Sequence, residues 1–217
     1  MDLHSQPLSV GTQETDPHLL GEDVPTVDPQ TVEEEQQRSL ISPVLREILE
    51  TVVLAAVIWL LINFTTARYV VEGSSMEPNL VTGQFLIVSR LAYRFGEPQR
   101  GDVIVFDFPG NPSDDYVKRI IGLPGDEIQI DQGNVYVNGE LLEEPYIADN
   151  SLTSRRGTWV VPEDNYFVMG DNRPSSSDSR TWGTLNADFI VGKAWLCYWP
   201  PQELGVIPHY EFDTADS

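Results

Sequence analysis

The chain has 217 residues and a formal charge of −21, from 34 acidic against 13 basic side chains. Nucleic-acid partners need a basic stripe to meet the phosphates, so that class is excluded. The single cysteine, Cys197, excludes an intrachain disulfide and a cysteine-built zinc site. Set among Trp195, Leu196, Tyr198 and Trp199, it reads as a buried or membrane-near apolar thiol.

Residues 1–43 are rich in Asp, Glu, Pro, Gln and Thr, include Glu33-Glu34-Glu35, and show no apolar period. Such a stretch cannot bury enough surface to offset its ordering entropy, and it is expected to be a disordered acidic tail. It also lacks the basic start and apolar core of a cleavable signal peptide.

The composition then changes to "PVLREILETVVLAAVIWLLINFTTARYVV", with Pro43 acceptable in a first helical turn. No residue from Thr51 to Ala67 is charged, and such a helix of about 17 residues is roughly 25 Å long. With Ile48 and Leu49 added it reaches the ~30 Å of a hydrocarbon core. The alternative is a buried core helix, but side chains apolar on all sides suit lipid better than a half-exposed position. Residues 44–67 are therefore expected to cross a lipid bilayer. Orientation stays open, because Arg38 and Arg46 flank one end while Arg68, Arg90 and Arg94 follow the other.

From residue 68 to about 203 the pattern is β. "FLIVSRL", "DVIVFDF", "YVKRIIG", "EIQIDQGNVYVNGE" and "NYFVMGDN" are short runs rich in Val, Ile, Phe and Tyr, separated by Gly, Pro, Asn and Asp. Asn138-Gly139 signals a tight hairpin, and Gln132-Gly133 a second reversal. These runs predict a mainly β, antiparallel domain on a membrane stalk. Residues 204–217 read as an acidic C-terminal tail.

"VVEGSSMEPNL" sets Ser74 beside Ser75 and raises the question of a serine nucleophile. The three histidines, His4, His18 and His209, all fall outside the apparent domain, so a Ser-His-Asp arrangement has little support. A neutral lysine can replace histidine as the base. Its ordinary pKa of about 10.4 must then fall to about 7–8, which asks the site for roughly 3–5 kcal/mol. Apolar burial supplies this by disfavouring the ammonium.

The chain has two lysines, Lys118 and Lys193. On a strand over 116–121, Tyr116, Lys118 and Ile120 share one face while Val117, Arg119 and Ile121 share the other. Lys118 thus has the flanks of a desolvated amine, though an edge lysine kept in water fits the same segment. Arg119 points away and needs a counter-charge. Gly122 to Asp126 form a reversal that ends the strand. A third stretch, "VMGDNRPSSSDSRTWG", holds a turn at Gly170-Asp171-Asn172 and a serine-rich loop. If extended there, the chain projects Asp178 and Arg180 to one side.

An apolar anchor, "GSSMEPNL", "RGDVIVF" followed by "YVKRIIGLPGD", and "GDNRPSSSDSRTWG" occur in this order over residues 45–200. Together they resemble the type I signal peptidases of bacteria and plastids. The resemblance implies an antiparallel β-barrel-like catalytic domain. It implies Ser75, immediately before methionine, as the nucleophile, Lys118 as the general base, and Ser176 as an aid to the lysine. It further implies structural pairs of Asp171 with Arg119 and Asp178 with Arg180. Met76, Leu80, Tyr116 and Val117 would shape shallow pockets for small residues such as those of Ala-x-Ala sites.

An extended substrate would add as a strand beside 68–75 and 115–118. Neither a cofactor nor a metal is implied. The implied partners are signal-peptide-bearing preproteins and the bilayer. The N-terminus would be cytosolic or stromal and the β domain periplasmic or lumenal. Gly73 stands where some members carry a serine that helps hold the oxyanion, which leaves the Ser75 backbone N–H as the main donor. Trp182, Trp195 and Trp199 fit either the membrane interface or the core. Two rival readings exist. A soluble, self-cleaving repressor-type Ser-Lys protease is opposed by the anchor and the acidity. An inactive tethered β domain that binds extended peptides is opposed by the Ser75, Lys118, Ser176 set.

Overall fold

The computed structural model of the chain describes residues 29–148, 155–210 and 212. The expected disorder of residues 1–28 lies outside them. Helix α1 runs Pro29–Thr65 and so begins within the segment expected to lack structure. Glu33 to Arg38 are good helix formers and carry the helix N-terminal of the apolar run. Pro43 accordingly lies inside the helix and not in its first turn.

The chain divides into two units after Ala55. The first holds the early part of α1, and the second the rest of α1 and all the strands. Within α1, Pro43–Thr65 has a mean hydropathy of 2.1 over its most apolar stretch and is long and apolar enough to cross a membrane.

Twelve short strands follow among the described residues, all paired antiparallel. The larger sheet orders them β1 (Thr66–Val70), β2 (Phe85–Ser89), β11 (Ile190–Trp199), β3 (Val103–Asp107), β4 (Asp115–Gly122), β9 (Asn165–Met169) and β10 (Leu185–Asn186), with β12 (Gly205–Val206) on β11. The smaller orders β7 (Glu140–Leu141), β6 (Asn134–Val137), β5 (Glu127–Asp131) and β8 (Gly157–Val160). The fold is mainly β, as the alternating runs predict. The barrel-like closure is not made: among the described residues the larger sheet ends at β1 and β10 without joining them.

The smaller sheet follows its turn chemistry. Asn138 and Gly139 both take positive φ, 53° and 86°, as a two-residue hairpin between Val137 and Glu140 requires. Gln132 and Gly133, at 51° and 88°, do the same between β5 and β6.

β11 is the longest strand. Irregularities in its pairing with β3 and β2 let it serve both of them and β12 in turn. Trp182 packs its ring against Phe106 and Phe108, whereas Trp195 and Trp199 are exposed. Cys197 is buried, as its neighbours predict.

The C-terminal segment departs from the acidic tail expected over 204–217. β12 pairs with Leu196 and Cys197, Ile207 is buried, and Tyr210 and Phe212 pack on the core beside the smaller sheet. Glu211, Asp213 and Asp216 are interspersed with Leu204, Val206, Ile207, Tyr210 and Phe212, and of these five Ile207, Tyr210 and Phe212 reach the core. His209 is therefore not outside the domain. Its Nδ1 accepts the Val103 N–H at 3.3 Å and lies 3.5 Å from Asp102 Oδ1. Burial, with the Lys193 ammonium nearby, lowers it to about 4.

Candidate active site

The loop after β1 carries the paired serines. Gly73 holds φ at +86°, a conformation that favours glycine, and starts the turn that carries Ser75. Ser74 is exposed and Ser75 half-buried. Asn172 ties this loop down. Its backbone N–H donates to the Ser75 carbonyl at 3.0 Å and its Nδ2 to the Ser74 carbonyl at 3.0 Å.

Lys118 sits mid-β4, paired across to Ile104 on β3. The alternation holds along this strand. Tyr116 and Ile120 pack into one core cluster, and Val117 and Ile121 into the two on the other face. Lys118 is 4 % exposed, so the edge lysine kept in water is not what the fold builds. Its Nζ lies 2.8 Å from Ser75 Oγ and donates to the Val117 carbonyl at 2.8 Å. The Tyr116 ring is 5.2 Å away. Burial pushes the amine down from 10.5 to about 8, against the opposing pull of the Asp178 and Asp171 carboxylates. Lys193 instead reaches Asp102 Oδ1 at 2.5 Å.

β4 and β9 pair Arg119 with Met169, which brings Gly170 and Asp171 alongside Lys118 and Arg119. Arg119 Nε and Nη2 meet Asp171 Oδ1 and Oδ2 at 2.9 and 2.8 Å, so the counter-charge that Arg119 needs is Asp171. Asn79 Nδ2 donates to Asp171 Oδ2 at 2.9 Å and to the Tyr146 carbonyl at 2.7 Å.

Asp178 pairs with Arg180 at 2.7 and 2.6 Å and also takes the Gly170 N–H at 3.0 Å. The two are not on an extended strand. Asp178 caps the short helix α2 (Ser179–Trp182) by accepting from the Arg180 N–H, a favoured role for aspartate.

Ser176 Oγ is buried beside Gly170 and has no hydrogen-bond partner among the described residues. The structure thus brings Ser176 next to the pair without a bond to the Lys118 amine. Any Cβ at Gly170 would collide with Ser176 Oγ and with the Ser75 carbonyl, so this close approach requires glycine.

A cleft of about 710 Å³ opens at Ser75 and Lys118. Residues 69–75 line one side and 113–118 another, with Ser175 and Ser177 nearby. Tyr116 and Val117 are in its wall. Met76 and Leu80 are not. They are 1 % and 2 % exposed and pack with Val71 and Leu86 in the core. Among the described residues no group of three His, Cys, Asp or Glu side chains gathers as a metal would need.

Several supporting residues escape sequence reasoning. Asn172, Asn79, Tyr146 and the Arg173–Glu144 pair act through partners far along the chain. The one local signal is that Asn172 and Arg173 adjoin Asp171 in "GDNR". The arrangement is a serine hydroxyl 2.8 Å from a buried amine lowered to about 8, at the edge of a cleft. It suits general-base activation of the serine.

The chain matches the family model described as signal peptidase, peptidase S26, over residues 45–199. It is 43 % identical over 146 residues to the protein named "Probable signal peptidase I-2" of Synechocystis sp., covering 65 % of this chain and 66 % of that one. It is 44 % identical over 150 residues to signal peptidase I of Bacillus caldolyticus, covering 63 % and 81 %. To signal peptidase IB of Staphylococcus aureus strain COL it is 36 % identical over 180 residues, covering 73 % and 93 %.

Proposed function

Since the chain belongs to the signal peptidase family, peptidase S26, we propose that it is a membrane-anchored serine endopeptidase that removes N-terminal signal peptides from exported preproteins. The observation that carries this reading is the 2.8 Å separation of Lys118 Nζ and Ser75 Oγ at a buried amine lowered to about 8.

In this reading neutral Lys118 takes the Ser75 hydroxyl proton, and Oγ attacks the scissile carbonyl to give an acyl-enzyme. The protonated lysine then gives its proton to the leaving amine. Neutral again, it activates the water that frees the acyl group. Ser176 aids the lysine during turnover. Arg119 with Asp171, and Asp178 with Arg180, hold the surrounding loops.

The oxyanion rests on the Ser75 N–H. In a trans peptide the C=O and N–H point oppositely. The Ser74 carbonyl is fixed by Asn172 Nδ2 and by the Glu77 N–H at 3.2 Å, so the Ser75 N–H is aimed the other way. With Gly73 supplying no hydroxyl, this one preset donor carries most of the stabilisation.

Substrate enters extended, beside 69–75 at the free edge of β1 and beside 113–118 of β4 and its preceding turn. Tyr116 and Val117 border the pocket for a small side chain, with cleavage after Ala-x-Ala-like sites. Met76 and Leu80 act from behind, as the packed floor under Ser75. No cofactor takes part. The apolar Pro43–Thr65 stretch lies in the bilayer, with the N-terminal side cytosolic or stromal and the β domain on the opposite face. Tethering concentrates the enzyme where signal peptides lie.

Two variants test the reading, Ser75→Ala and Lys118→Ala, each assayed in detergent on a preprotein with an Ala-x-Ala site. Both are expected to leave it uncleaved while keeping the native circular dichroism. Cleavage by purified Lys118→Ala would sink the reading in favour of an inactive tethered peptide-binding domain or a different base.

A further inference from the structure

We propose that the C-terminal strap, residues 205–210, positions the catalytic pair, and that Tyr210 does so by holding Arg119. This rests on the serine–lysine peptidase reading above. The family match ends at residue 199, so the strap lies beyond it.

The strap is nonetheless built into the domain. β12 pairs with β11, and Ile207 is 4 % exposed. The Pro208 carbonyl then accepts from Arg119 Nη1 at 3.1 Å. The Tyr210 ring centre lies 5.3 Å from the Arg119 guanidinium carbon and 5.1 Å from the Tyr146 ring, itself 4.2 Å from that carbon. Two aromatic rings and a strap carbonyl thus complete the shell of a guanidinium with no exposure to water. Cation–π contacts of this desolvated kind are the stronger ones.

Gly101 makes room for the strap. Its φ is +91°, any Cβ there would collide with the Tyr210 carbonyl, and its own carbonyl takes the Arg119 Nη1 proton at 2.8 Å.

From Arg119 the connection to the cleft is continuous. Arg119 fixes Asp171 through two bonds, and Asp171 takes one from Asn79. The next residue, Asn172, holds the carbonyls of Ser74 and Ser75. On the adjacent β4 position stands Lys118. Release of Arg119 on the strap side frees Asp171 and Asn172 together, and with them the height and aim of Ser75 Oγ. Tyr210 is therefore a positioning residue, acting through Arg119 and not on substrate.

The test compares full-length wild type, Tyr210→Ala and Tyr210→Phe in detergent on the Ala-x-Ala preprotein, with kcat and KM measured separately. Tyr210→Ala is expected to lower kcat by between roughly ten- and a hundredfold while KM stays within about twofold. Tyr210→Phe, which keeps the ring, is expected to restore kcat. Should Tyr210→Ala fail to fold, Tyr210→Leu keeps apolar volume without the ring and is judged by the same criteria. An unchanged kcat in the ring-less variant, a loss carried by KM, or a Phe variant as slow as the Ala variant would each overturn the proposal. A wild type that leaves the preprotein whole overturns the peptidase reading and the strap with it. An active wild type with an equally active ring-less variant overturns the strap alone.

Discussion

Arg119 and Asp171 form a two-bond ion pair at 2.9 and 2.8 Å in which neither side chain is exposed. Lys118 precedes Arg119 and Asn172 follows Asp171, so this pair connects the strand of Lys118 to the anchor of the Ser74-Ser75 loop. Breaking one partner of a buried pair leaves an uncompensated charge and costs about 3–5 kcal/mol. Arg119→Met and Asp171→Ala are each expected to lower unfolding stability by that order in denaturant titrations. The double variant Arg119→Met/Asp171→Leu is expected to recover much of the loss in stability, but not the activity.

The lowered amine sets the pH dependence. Only the neutral form of Lys118 can accept the Ser75 proton, and its pKa is about 8. Rate should therefore rise with pH through about 8 and level off above. Below that value it should fall by roughly tenfold per pH unit, as the ammonium form takes over. A profile of kcat/KM against pH on a peptide substrate checks this. A limb near the ordinary lysine value would mean that the amine is hydrated.

Ser74 and Ser75 are separated by environment. Ser74 is exposed, whereas Ser75 Oγ meets the Lys118 amine. Ser74→Ala is expected to keep kcat/KM within about threefold of wild type, since its hydroxyl takes no part in the proposed Ser75–Lys118 dyad. The reverse result, an inert Ser74→Ala with an active Ser75→Ala, would exchange their roles.

Ser176 offers an unusual combination. Its buried hydroxyl has no partner among the described residues, and an unpaired buried polar group is destabilising by about 1–3 kcal/mol. Ser176→Ala is thus expected to leave the melting temperature unchanged or raise it. If the hydroxyl bonds to the lysine during turnover, the same variant lowers kcat by roughly 10²-fold or more. Paired melting and single-turnover measurements separate the two effects.

What the sequence makes legible follows how local each signal is. The flanks of Lys118 come from strand alternation, the turns at Asn138-Gly139 and Gln132-Gly133 from two residues each, and the apolar helix from an uncharged run. The choice of Ser75 over Ser74 does not come from local chemistry, because adjacent serines look alike until Asn172 fixes the loop. Asn79 and Tyr146 stay hidden for the same reason: their bonds span 67 residues, and polar side chains in loops look like solvent-facing ones.

The C-terminal segment misleads because Glu211, Asp213 and Asp216 are interspersed with its apolar residues, which show no regular period. What counts is where they land: β12 pairs with β11, Ile207 is buried, and Tyr210 and Phe212 pack beside the smaller sheet. Met76 and Leu80 show the converse. Nearness in sequence to Ser75 does not bring a side chain into the cleft when its face of the loop turns inward.

The central claim is tested most directly by titrating the Lys118 amine itself. With two lysines in the chain, the protein labelled with carbon-13 at lysine Cε gives two signals, assigned with Lys193→Arg. In detergent, the account predicts that the Lys118 signal moves with a midpoint near 8, and that the midpoint changes in Ser75→Ala. A midpoint close to the ordinary 10.5, indifferent to Ser75, would contradict it.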